Sequence, residues 1–215
     1  EFYNFIQQEY WSKKDKFPLI CSHTGIVSKS KKLLQLIAQD DAKEHNDKSN
    51  YLHECSINLC AEDILMVAES NGIIGIQLDE KRIMGKEIIN VIKKDQTATD
   101  AQLNKQYVKL LCANLFQIAK AVDNKTAWDI PVIGSDYDGL INHLDFYPDT
   151  SYMPDLRKDV LSFFKKPEEI SEPGFNLIIT VAEIKRLMFG LSAEEITEKL
   201  FAGNVMKFLE KNFNR

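Results

Sequence analysis

The chain has 215 residues, 44% hydrophobic and 27% charged, the composition of a globular protein with one large domain. Its net charge of −5 and its four arginines (Arg82, Arg157, Arg186 and Arg215) argue against a nucleic-acid partner, which is met with a basic face. No apolar run reaches the roughly 18 residues of a membrane span, and four cysteines without CxxC spacing read as reduced thiols.

Glu1-Phe2-Tyr3 has no initiator Met and no signal-peptide pattern, so it is read as other than the native start of a gene product. The compartment therefore stays open, with the cytoplasm favoured. Residues 2–11 are aromatic-rich and predicted helical. Residues 17–22 read as a buried strand, and residues 29–38 carry Leu33, Leu34 and Ile37 at helical spacing. The polar stretch 40–50, with His45, reads as a solvated loop or insertion. A helix is expected at 60–70 and a second buried strand at 72–78. Thr99 and Gln102 form a capping box ahead of a long helix over about 100–123, and a third strand spans 130–135. Two further capping boxes, Thr180 with Glu183 and Ser192 with Glu195, open helices at 181–189 and 193–213. Residues 175–181 fit either a short strand or the start of that helix, and the capping box favours helix. Strands alternating with helices mean a parallel sheet with crossover helices. Three strands are too few to close an eight-stranded barrel.

Two strands end in chemistry. The run Ile130-Pro131-Val132-Ile133-Gly134-Ser135 stops at Asp136-Tyr137-Asp138-Gly139, and Pro18-Leu19-Ile20-Cys21-Ser22 stops at His23. Strand ends deliver such side chains to the sheet rim where α/β proteins bind ligands. Paired carboxylates suit a cation or general-base duty, and imidazole suits zinc. The plainer readings are an Asp that caps the following turn and a structural His. His143, in the next loop with Asn142 and Asp145, is a candidate for the same rim. His53-Glu54-Cys55 with Cys60 matches no established zinc spacing.

Asp136-Tyr137-Asp138-Gly139-Leu140 resembles the Asp-x-Asp-Gly-Thr nucleophile motif of haloacid-dehalogenase-type phosphatases. Leu140 stands where that family has Thr, and no Gly-Asp-x-x-x-Asp follows. A resemblance spanning nearly the whole chain is stronger. Pro18-Leu19-Ile20-Cys21-Ser22-His23-Thr24 resembles the Pro-Val-Ile-x-Ser-His-Ser segment of the renal (membrane) dipeptidase family of zinc peptidases. Ile57-Asn58-Leu59-Cys60-Ala61-Glu62-Asp63-Ile64-Leu65 is similar to its Arg-Asn-Val-x-Asp-Asp-Val-Leu. Gly134-Ser135-Asp136-Tyr137-Asp138-Gly139 resembles its Gly-[Ser/Gly]-Asp-Phe-Asp-Gly, and Tyr152-Met153-Pro154-Asp155-Leu156 its Tyr-Pro-Asp-Leu. Leu191-Ser192-Ala193-Glu194-Glu195-Ile196 and Gly203-Asn204-Val205-Met206 resemble its carboxyl-terminal helix.

The resemblance implies an α/β fold of the amidohydrolase kind: a partial (β/α)8 TIM-type barrel holding about the last three βα units plus carboxyl-terminal helices. Residues 1–215 would be the carboxyl-terminal half of one metal-dependent hydrolase domain. It implies a binuclear zinc site, with His23 as a metal ligand and Asp136 acting on the attacking water. The family's remaining ligands lie upstream of the matched segments, and the arginine that grips the peptide carboxylate aligns with Ile57. Arg82, Asp138 and His143 are the substrate-binding candidates. The expected function is hydrolysis of a dipeptide or related amide bond, a peptide-like small molecule being the substrate. The expected partner is a complementary amino-terminal half of the barrel or a homo-oligomer copy, and the chain alone is expected to be inactive. A catalytically inactive barrel relative, serving as a binding or scaffold module, is the alternative.

Overall fold

The computed structural model describes residues 2–10, 17–31, 52–55, 57–139, 141–170 and 179–213. Three strands, β1 (Ile20–Thr24), β2 (Ile73–Ile76) and β3 (Pro131–Ile133), form an open, all-parallel sheet in the order β1-β2-β3. The α-helices are α1 (Phe2–Tyr10), α2 (Ala61–Glu69), α3 (Glu80–Ile83), α4 (Lys86–Lys94), α5 (Asp100–Val122), α6 (Met153–Lys165), α7 (Val181–Leu187), α8 (Ala193–Glu198) and α9 (Asn204–Phe213). No closed barrel forms among the described residues. Most of the helix expected at 29–38, the loop at 40–50 and most of 175–181 lie outside the described residues. No described helix is long and apolar enough to cross a membrane.

The capping boxes act where expected. The Thr99 hydroxyl accepts from Gln102 N while Gln102 Oε1 accepts from Thr99 N at 2.7 Å, and Thr180/Glu183 and Ser192/Glu195 repeat the exchange. Each box satisfies backbone donors that a helix start leaves free. The predicted 193–213 helix is instead two helices joined by a π-helical turn at Lys199–Gly203. A tertiary demand accompanies the break. Asn204 is buried directly after the turn, and its amide donates to the Trp128 and Pro131 carbonyls at 2.9 and 2.8 Å, fastening α9 to the approach of β3.

Side chains alternate across the sheet. Ile74, Ile76 and Ile133 belong to the main core with α5, where Phe116, Trp128, Phe163 and Phe164 meet largely edge-to-face. Asn114 on α5 is buried and accepts from Ile26 N at 2.8 Å while donating to Ile83 O at 3.1 Å, so one side chain ties the segments after β1 and β2 to the same helix. The opposite sheet face carries Ile73 and Val132, covered by Phe208 of α9, and then Gly75 and Gly134.

β1 departs from its expectation as a buried strand. It starts at Ile20 rather than residue 17, and Ile20 is 54% exposed. The reason is its place at the sheet edge, where no described residue pairs with its outer side. β1 also bulges between Cys21 and Thr24, which throws the Ser22 carbonyl over the sheet. A Cβ on Gly75 or Gly134 would sit 2.0 Å from that oxygen, so the close approach requires glycine at both positions.

Candidate functional site

The bulge sets His23 at the carboxyl end of β1, and the chain leaving β3 sets Asp136 beside it. His23 Nε2 lies 3.9 Å from Asp136 Oδ2, with the side chains 46% and 26% exposed. Ser22 Oγ lies 2.9 Å from His23 Nδ1, leaving Nε2 aimed at the carboxylate. Asp136 has a left-handed backbone (φ 59°), which Asp tolerates better than most residues, and its carbonyl accepts from Gly139 N at 2.9 Å to close a turn. Its carboxylate folds back over Gly139, where a Cβ would come within 2.6 Å of Oδ1.

A third strand end completes the arrangement. Gln77 follows β2, its backbone N–H bonded to Thr24 O at 2.9 Å, and its Nε2 donates to Asp136 Oδ2 at 2.6 Å. Arg82 Nε donates to Gln77 Oε1 at 3.0 Å. Because a guanidinium only donates, the Gln77 oxygen must face Arg82 and its nitrogen must face Asp136. Arg82 Nη1 reaches Asn58 Oδ1 at 3.4 Å, and the buried Asn58 amide donates to the carbonyls of His53 and Arg82 at 2.8 and 2.9 Å. A continuous chain thus runs from Asn58 through Arg82 and Gln77 to Asp136.

Asp138 is exposed on the turn and makes no hydrogen bond or ion pair among the described residues. His143 is exposed as well, held by a backbone bridge to Asp79 in the loop beyond β2. Tyr137 lies between Asp136 and Asp138 in sequence but points inward. Its hydroxyl donates to Tyr147 O at 2.8 Å, and burial, then the nearby Asp149 charge, push it up to about 12. Sequence reasoning placed His23, Asp136 and Arg82 in one region but missed Gln77 and Asn58. A lone polar residue inside the apolar run Gly72–Leu78 was the available signal for Gln77.

The cysteines divide by environment. Burial raises Cys21 and Cys112, and burial followed by its bond to Asp63 takes Cys60 to about 12. At Cys55 burial also pushes upward, but the hydrogen bond and charge of His53, with backbone donors, win and lower it. Reciprocally, the Cys55 thiol raises His53. Among the described residues no three His, Cys, Asp or Glu side chains gather as a metal-ligand set.

No family model, curated protein or solved structure matches this chain.

Proposed function

We propose that this chain is the carboxyl-terminal part of a metal-dependent hydrolase barrel of the membrane dipeptidase kind. In this reading Asp136 accepts the proton of a water that attacks a dipeptide or related amide bond, and His23 is one ligand of a zinc site. The supporting observation is the convergence of His23 and Asp136 at the carboxyl ends of two parallel strands, with the carboxylate aimed by Gln77. A carboxylate held at one oxygen keeps the other free to take a proton. Arg82 acts here by holding Gln77.

Imidazole and carboxylate are donors that zinc accepts, but an open catalytic zinc needs about three protein ligands. With Asp136 kept for the water, His23 supplies one, so the described residues do not hold the metal by themselves. The remaining ligands are assigned to a complementary amino-terminal half of the barrel, with a second copy of the chain as the other source. The outer edge of β1, which no described residue pairs, with Phe17 and Ile20 about half exposed, supports such a partner, because an apolar edge strand is an aggregation hazard unless covered.

A non-catalytic scaffold is the second reading. It is favoured by Ile57, 67% exposed where the resembling family carries its carboxylate-gripping arginine. Dipeptide hydrolysis by the complete protein separates the two. The hydrolase reading expects turnover that falls roughly 10²- to 10⁴-fold in Asp136→Asn, the usual worth of a general base. Unchanged turnover in that variant refutes the assignment, and no turnover by the wild-type protein favours the scaffold.

A further inference from the structure

A cavity of about 500 Å³ opens beyond β2, with Lys81, Lys86 and Lys93 among its walls beside Met84 and Ile89. Its volume falls within the range of small-molecule sites. Neither His23 nor Asp136 lines it, so a ligand bound there is independent of the hydrolase reading.

The base of the cavity is built around a buried carboxylate. Glu80 is fully buried, and its carboxylate accepts from Tyr107 Oη at 2.7 Å and Asn142 Nδ2 at 2.5 Å while pairing with Lys93 Nζ at 2.8 Å. A buried carboxylate with three partners is satisfied, and Lys93 offsets its charge. Lys81 and Lys86 make no ion pair among the described residues. The wall is therefore positive on a protein whose net charge is −5. Met84 and Ile89 supply apolar surface and Asn90 an amide. Among the described residues no phenylalanine, tyrosine or tryptophan lines the space, so a nucleobase would find only the His53 imidazole to stack on.

We propose that this cavity binds a small organic carboxylate, its anionic group met by Lys81 and Lys86 and its apolar body packed on Met84 and Ile89. The test titrates the purified chain, by calorimetry or NMR, with N-acetyl-L-leucine, its uncharged amide and inorganic phosphate. The same titrations are run on the Lys81→Glu/Lys86→Glu double variant. Both lysines are exposed, and a glutamate in the first turn of α4 suits the helix dipole, so the fold is retained. The expected result is binding of the acid, with the amide and phosphate each at least about tenfold weaker and the double variant weaker by at least a similar factor. Equal affinity for acid and amide, equal affinity for phosphate, no effect of the double variant, or no binding of the acid would each overturn the proposal.

Discussion

Gln77 holds Asp136. The amide nitrogen of the one lies 2.6 Å from the carboxylate of the other, while Arg82 fixes the amide oxygen at 3.0 Å. The strand ends are thus coupled by side chains as well as by the sheet ladder. The carboxylate of the candidate proton acceptor is held from β2 as well as by its own turn.

Replacing Gln77 tests this coupling. Gln77→Leu keeps the bulk but removes the donor to Asp136 and the acceptor for Arg82. Turnover of the complete protein is expected to fall about ten- to a hundredfold, as for a misaimed catalytic group. Gln77→Glu is expected to fall further, because a second carboxylate repels Asp136 and cannot donate to it. Turnover in Gln77→Glu equal to wild type would remove Gln77 from the site.

The Ser22 carbonyl over Gly75 and Gly134 gives a steric prediction. Gly134→Ala puts a methyl group 2.0 Å from that oxygen, so the bulge of β1 must move. A loss of about 1–3 kcal/mol in stability is expected from such overpacking. Because His23 rides on the same bulge, its NMR chemical shifts should change as well. Chemical denaturation and a His-selective spectrum measure both, and an unshifted His23 would contradict the coupling.

Asn114 is the corresponding polar tie in the core. Asn114→Leu leaves Ile26 N and Ile83 O buried without their partner. An unsatisfied buried group costs about 1–3 kcal/mol, so a loss of about 2–4 kcal/mol is expected in urea unfolding. A loss below about 1 kcal/mol would mean that water replaces the amide.

The cysteines should react in a fixed order. Cys55 is the thiol whose ionisation is eased, whereas Cys21, Cys60 and Cys112 are all shifted upward. The thiolate is the reactive form, so Cys55 should alkylate first at neutral pH. Its rate should decline as pH falls through a value below the ordinary 9.0. In His53→Ala that decline should move to higher pH. Mass spectrometry of iodoacetamide adducts over time reads the order, and Cys21 labelling ahead of Cys55 would contradict it.

Local signals in the chain are plain, and long-range ones are hidden. Thr99, Thr180 and Ser192 announce their helices because a capping box is settled within four residues. Asp136 and His23 announce themselves because apolar runs stop at them. By contrast, α4 follows Gly85, which offers no side-chain cap, and the π turn before α9 accompanies Asn204 bonding to residues 73 and 76 positions away. The role of Gln77 depends on a partner 59 residues away, which periodicity does not encode. The exposure of β1 depends on what pairs with its edge, a property of neighbours rather than of Ile20 or Ser22.

In the proposed hydrolase, His23 and Asp136 are two ends of a metal site completed by further chain. Zinc content of the complete native protein, measured by elemental analysis for wild type and for His23→Ala, tests this. About two zinc ions per barrel are expected, as in two-metal hydrolytic sites, with loss of at least one in the variant. Equal zinc in both proteins, or a metal-free wild type that exists as a stable 24.7 kDa monomer, would contradict it.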